Sequence, residues 1–329
     1  MSYTATSSQL WSERWRLAAL SPSVLLQLGL AAVLIGLAFL MFHLQGNTVD
    51  IRMYGRSAIL WMTQRWSDPG GDNSHGWLIP WVSLWAVWHR RKEILSAPRR
   101  VSGWGLAVVV LALLAHWVGA KAQQVRLSLF ALIGLIWGVP FYLYGWQVAK
   151  QLLFPAAFLI FCVPLNFLDS LTFPLRLMVT IVSHHLLNGL GIAVQRSGSA
   201  LRALDSGGME RWALDVADPC SGLRSIMALT ALAAVYAYLT QKTLLKKWLL
   251  FASSIPLAIV GNIARIATIA LMAEAFGQEV AVGLYHDYSG FIFFPVSLGL
   301  LIGLGSLMNS HPKEVWSRWK SELLSPTSS

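Results

Sequence analysis

Charge is scarce in this chain, and cysteine scarcer still. Asp, Glu, Lys and Arg make up 12% of the 329 residues, against the ~25% usual in soluble domains. The only cysteines are Cys162 and Cys220, too few for a disulfide framework or a cysteine-rich metal site. No repeat of fixed period and no low-complexity tract beyond the serine-rich tips is present, so the simplest division is one domain. What fills the composition is apolar: 56% of residues are hydrophobic and 16 are tryptophan. The apolar residues come in solid runs rather than in alternation with polar ones, which selects a helical membrane protein over a transmembrane barrel.

The formal charge of +10 is first a statement about topology. The strongest basic cluster, His89-Arg90-Arg91-Lys92 with Arg99 and Arg100, is placed inside. Apolar runs then give spans at Val24 to Phe42, Trp77 to Trp88, Trp104 to Ala120, Leu127 to Trp146, Leu152 to Asn166, Ser221 to Leu239, Trp248 to about Ala275, and Phe291 to Leu307. With about eight spans and both termini in the cytoplasm, Lys242, Lys246, Lys247 and the tail residues Lys313, Arg318 and Lys320 also fall inside. The basic residues of these inside segments account for the whole excess, so the charge carries no argument for nucleic acid. The first span is of full length and lacks a small-residue cleavage site, which reads as a retained helix rather than a signal peptide.

The expected fold is therefore an all-α polytopic membrane protein, one domain over residues 1–329 with an external insert at about 167–218. Helical spacing predicts interfacial helices over Ile51 to Trp66 and Leu171 to Leu190, the second carrying His184 and His185. From Ile192 to Val216, alternating Val, Ala, Leu and Trp among Gly and Arg predict a short external β-hairpin turning at Asp205-Ser206-Gly207-Gly208. Trp77, Trp88, Trp104, Trp146 and Trp248 lie near span ends and form the aromatic belt.

Arg224 and Arg265 fall within spans, where an ionisable side chain costs roughly 2.5 to 3.5 kcal/mol on insertion scales. Topology puts both near the outer surface. Cys220 lies one turn before Arg224, Asn262 shares a face with Arg265, and His286 sits in the outer loop before the last span. Guanidinium or imidazolium charge and a helix N-terminus favour a thiolate. An imidazole can carry the proton, and a guanidinium can stabilise a developing oxyanion. Together the residues read as a cysteine acyl-transfer site. Each has a plainer alternative: a membrane cysteine taken alone is more often a packing residue, the arginines can snorkel to headgroups, and His286 can be an ordinary loop histidine. A disulfide between Cys162 and Cys220 is a further alternative. His75, at the mouth of the second span, serves either substrate binding or a structural hydrogen bond. No His, Cys and carboxylate spacing matches a zinc site.

Three stretches, Asp218-Pro219-Cys220-Ser221-Gly222-Leu223-Arg224-Ser225, Pro256-Leu257-Ala258-Ile259-Val260-Gly261-Asn262-Ile263-Ala264-Arg265 and Tyr285-His286-Asp287-Tyr288-Ser289-Gly290, resemble the motifs of the exosortase and archaeosortase family of membrane cysteine transpeptidases. Ser74-His75-Gly76-Trp77-Leu78-Ile79-Pro80 is similar to the family's early Ser-His-Gly element. The resemblance implies a nucleophile at Cys220, a catalytic arginine at Arg265 and a third member at His286, where histidine favours the bacterial branch and thus the inner membrane. Arg224, Asn262 and His75 are supporting or substrate-binding candidates. The resemblance also implies the partners: secreted proteins with a C-terminal sorting signal, made of a Pro-Glu-Pro-type motif, an apolar helix and a basic tail, commonly alongside exopolysaccharide production. It implies no cofactor and no metal. The chain ends soon after the last span, so the further C-terminal domain of some relatives is not expected. The competing reading is a non-catalytic membrane protein of envelope polysaccharide transport or assembly, with its arginines on lipid-linked phosphate.

Overall fold

The computed structural model describes residues 22–49, 51–68, 73–165, 167–205, 207–215 and 223–309. The apolar runs became helices: α1 Pro22–Gln45, α2 Ile51–Tyr54, α3 Ala58–Trp66, α4 Ile79–His89, α5 Arg91–Ser96, α6 Gly103–Lys121, α7 Val125–Tyr144, α8 Trp146–Phe158, α9 Phe167–Gly189, α10 Leu223–Thr240, α11 Leu244–Phe276 and α12 His286–Asn309. Among the described residues, four helices are long and apolar enough to cross a membrane: α6, α7, α11 and the stretch Tyr288–Asn309 of α12. Ala32–Gln45, Trp146–Cys162 and Arg224–Thr240 are shorter apolar helices.

The expectation of eight spans thus holds only in part. The second expected span is a 3₁₀ turn, Ser74–Trp77, followed by α4. With 11 residues, α4 is about 16 Å long, roughly half of a ~30 Å hydrocarbon core. The interfacial helix expected over Ile51 to Trp66 is broken in two. Gly55 takes φ +61°, a conformation that ends a helix cheaply only for glycine. Asn47 fastens the break, donating from Nδ2 to Gly55 O at 2.6 Å. Ser57 then caps α3, accepting from Leu60 N at 3.1 Å, and His43 Nδ1 of α1 lies 3.1 Å from the same hydroxyl.

The long hairpin α6–α7 is closed by intimate packing. A side chain on Gly105 would overlap the backbone of Tyr142, so the two helices meet there without one. Ser102 N donates to Tyr142 O at 3.0 Å and Arg100 N to Tyr144 O at 3.2 Å, which seats the Arg99–Arg100 segment at the end of α7. At that same end lie Arg90, whose Nη1 donates to Gln151 Oε1 of α8 at 3.5 Å, and Lys246, which bonds Met308 O of α12. Among the described residues, Arg90, Arg99, Arg100 and Lys246, all expected on one side of the membrane, therefore gather at one end of the helices. The five expected belt tryptophans are all exposed.

The external insert was expected as a helix and a hairpin. It is α9 followed by a three-stranded antiparallel meander, β1 Val194–Ser197, β2 Ala200–Leu204 and β3 Glu210–Asp215, in the order β1-β2-β3. The expected turn joins β2 to β3, where Asp205 Oδ1 accepts from Gly207 N at 2.9 Å and Met209 N at 2.8 Å. A second turn at Gly198, φ +62°, adds β1, pairing Ser197 with Ala200 and Val194 with Ala203. One face of the sheet, with Val194, Leu201, Ala203, Trp212 and Leu214, is buried with Val179 and Leu187 of α9 against Ile266, Ile269, Ala270 and Ala273 of α11. Trp212 Nε1 donates to Glu274 Oε2 at 2.8 Å, Arg211 pairs with Glu274 Oε1, and Ala213 N donates to Gln278 Oε1 at 3.1 Å. The sheet is thereby anchored on the end of α11 remote from Lys246 and Lys247.

Candidate active site

Three helices converge at the end opposite the basic cluster. α10, α11 and α12 share a core of Leu229, Ala233, Leu250, Ala258 and Leu301, and beyond it α11 continues for several turns. α11 has 33 residues and so runs for about 50 Å, long enough to carry Lys247 at one membrane surface and Arg265 toward the other. The 18 positions between them amount to roughly 27 Å at ~1.5 Å per residue.

Between these helices is a small cleft lined by Ser225 and Leu229 of α10, Ala258, Gly261, Asn262 and Arg265 of α11, and Gly290, Phe293, Phe294 and Ser297 of α12. Its volume is about 20 Å³, room for roughly one water molecule and no more. Asn262 is 6% exposed. Arg265, one turn further along the same face, is half-buried, and its Nε donates to Ser289 Oγ at 2.7 Å. Ser289 is fully buried, at 0% exposure. A charge-assisted hydrogen bond is roughly twice as strong as a neutral one, so this bond fixes the plane of the guanidinium. The close approach of α11 to α12 depends on Gly261, since a side chain there would overlap Ser297 Oγ.

The residues expected at the site fall out as follows. Arg265 and Asn262 are both in the cleft. Arg224 lies in the first turn of α10, exposed, beside the cleft-lining Ser225. His286 does not occupy a loop: a π-helical segment, Val280–Tyr285, leads into α12, of which His286 is the first residue. Ser289, the partner of Arg265, follows one turn later on that helix. Cys220, the expected nucleophile, lies outside the described residues. His75 is held in the 3₁₀ turn with Nε2 3.1 Å from Phe161 O, the structural hydrogen bond that was one of its two readings, and it is not among the described residues lining the cleft. Cys162 is a free, buried thiol, donating from Sγ to Leu159 O at 2.9 Å, and Cys220, the other half of the disulfide alternative, lies outside the described residues.

Ser225, Gly261, Ser289 and Ser297 were not singled out from sequence. Ser225, Gly261 and Ser289 each stand inside one of the three quoted motifs, and the signal that could have found Ser289 is its spacing of one helical turn after His286. Among the described residues, no group of three or more His, Cys, Asp or Glu could hold a metal ion.

Apolar helices of spanning length, a cleft between α10, α11 and α12 and a half-buried arginine locked inside it describe a polytopic membrane protein with a preorganised cationic site. The family model described as Transmembrane exosortase (Exosortase_EpsH) matches residues 61–303, from within α3 to within α12, and the chain belongs to that family. It is a family of membrane transpeptidases that act in protein sorting, generally through a cysteine. No curated protein and no solved structure matches the chain.

Proposed function

We propose that the chain is a membrane cysteine transpeptidase that cuts a C-terminal Pro-Glu-Pro-type sorting signal from secreted proteins and passes them to an envelope acceptor. The basic end of the helices faces the cytoplasm, with both termini, and the cleft end faces the outside of the inner membrane. The observation that carries this reading is the bond from Arg265 to buried Ser289, which holds a guanidinium inside a cleft one helical turn from His286. Chain length adds support. Leu223 is three Cα–Cα steps after Cys220, and a chain of that length spans at most about 11 Å.

In the proposed reaction the Cys220 thiolate attacks the carbonyl carbon of the scissile amide at the sorting motif. The carbonyl electrons move to oxygen, and the Arg265 guanidinium stabilises the negative charge of the tetrahedral intermediate. The carbon–nitrogen bond breaks as the leaving amine takes a proton from His286. This leaves a thioester between the secreted protein and Cys220. An amine of the acceptor then gives its proton to His286 and attacks the thioester carbon, and the carbon–sulfur bond breaks to restore the thiolate. Arg224 depresses the thiol pKa or holds the acidic side chain of the motif, Asn262 supports the guanidinium or the substrate, and His75 braces the turn before α4. Substrate helices enter laterally between the spans, which brings the motif to the depth of the cleft.

The test is co-expression of a secreted protein carrying such a signal with the wild-type chain and with Cys220→Ala. Processing is expected with the first and absent with the second. Unchanged processing by Cys220→Ala eliminates acyl transfer through this thiol.

A further inference from the structure

The most unusual cluster outside the cleft lies at the basic end. Tyr238 of α10 stacks on Phe154 of α8, with ring centroids 3.8 Å apart and planes 2° from parallel. That covers one face of the tyrosine. The Arg90 guanidinium lies 5.2 Å from the Tyr238 ring centroid, and so does the Lys247 ammonium. Both cations thus lie 5.2 Å from the centre of one ring. Their charges are close enough to act on one another. Arg90, Gln151, Tyr238 and Lys247 are all half-buried, and among the described residues neither cation pairs with a carboxylate. The nearest acidic group acting on Tyr238 is Glu93, on α5, which is exposed.

Two half-buried like charges drawn to one ring repel, and an anion between them offsets that repulsion. We propose that Arg90 and Lys247 form a binding site for the phosphate of a phospholipid with a net negative headgroup. Exposed Trp88 and Trp248 beside the two cations mark the headgroup level, and exposed Leu244, Leu245 and Leu249 offer the adjoining apolar surface for acyl chains. A single phosphate oxyanion replaces the repulsion with two charge-assisted hydrogen bonds. A choline headgroup would bring a third cation to the same spot and is disfavoured. Arg90 belongs to the α4–α8 group of helices and Lys247 to the α10–α12 group, so the lipid would tie the two groups together at the end remote from the cleft.

The full-length chain in neutral detergent, titrated with phosphatidylglycerol or phosphatidylcholine and read by native mass spectrometry, tests this. Wild type should retain one phosphatidylglycerol with about a tenfold preference over phosphatidylcholine. Arg90→Gln with Lys247→Gln should lose that preference, whereas Lys92→Gln with Lys150→Gln, which removes the same charge from exposed positions, should keep it. If the first pair folds poorly by circular dichroism, Lys247→Gln alone is decisive, because its described side-chain contact is the Tyr238 ring. Equal retention of phosphatidylglycerol by the Lys247 variant, equal binding of the two lipids by wild type, or displacement of lipid by millimolar inorganic phosphate would overturn the assignment.

Discussion

Ser289→Ala removes the hydroxyl that accepts from Arg265 Nε at 2.7 Å and leaves a guanidinium N–H without that partner in a cleft too small to admit a second water. A hydrogen bond to a charged group contributes roughly 1.5 to 3 kcal/mol. If the bond holds Arg265 where negative charge develops, that loss appears in the transition state and slows processing by about 10- to 100-fold. Pulse labelling of a co-expressed secreted protein with a sorting signal measures the rate directly. Ser289 acts here as a positioning residue, so the decisive comparison is a double-mutant cycle with Arg265→Lys. Two residues working through one bond give a double variant no slower than the slower single one. A Ser289→Ala chain that processes at the wild-type rate, or losses that simply multiply in the double variant, would refute the reasoning. Thermal melting of both variants in detergent separates a loss of fold from a loss of placement.

Three further outcomes follow from the packing. Gly261→Ala puts a methyl group onto Ser297 Oγ and should destabilise the α11–α12 contact by about 1 to 3 kcal/mol; Ser297→Ala in the same chain should restore part of the melting temperature, and no restoration would mean that the clash lies elsewhere. Glu274→Gln weakens the anchor that Arg211 and Trp212 make on α11, so limited proteolysis between β1 and β3 should quicken about 5- to 30-fold for a loss of 1 to 2 kcal/mol; an unchanged cleavage rate would show that the apolar face alone holds the sheet. Cys162→Ala removes a buried sulfur, 6% exposed, at a cost of about 1 kcal/mol in stability with processing retained, and its inactivation would transfer the nucleophile from Cys220 to Cys162.

Much of this architecture is legible from periodicity, because a helix that faces lipid must be apolar all round and leaves a solid run in the sequence. α6, α7 and α11 lie close to their expected bounds for that reason. The departures come where one residue decides. Gly55 sits within a helical pattern that continues across it, and only its left-handed conformation separates α2 from α3. Gly198 makes β1 out of a segment whose exposed Gln195 and Arg196 weaken the alternating signal. At the site, Arg265 and Asn262 announced themselves as polar groups in a costly setting, whereas Ser289 offered only its spacing of one turn after His286. A serine in an apolar helix is unremarkable until tertiary packing of α11 against α12 sets its hydroxyl beside a guanidinium 24 positions earlier in the chain.

That separation has a structural consequence. From Arg265 the chain climbs the rest of α11 to Glu274, where the sheet is fastened, turns at Gly277 with φ +90°, and returns through the π-helical segment Val280–Tyr285 to His286 and Ser289. The Arg265–Ser289 bond closes this loop at its base, and the Glu274 contacts load its top. β3 ends at Asp215, whose Oδ1 accepts from Ser199 Oγ at 3.2 Å, so the connection to α10 that contains Cys220 leaves from that same sheet. The end of β3 and the segment that returns from α11 toward α12 are therefore both fastened at one sheet, outside the core of α10, α11 and α12. On the proposed reading, support of this kind serves to keep the nucleophile and the cation in register without covalent linkage. It also explains why an otherwise apolar protein devotes Glu274, its interactions with Arg211 and Trp212, and a buried tryptophan to holding a sheet of three short strands in place.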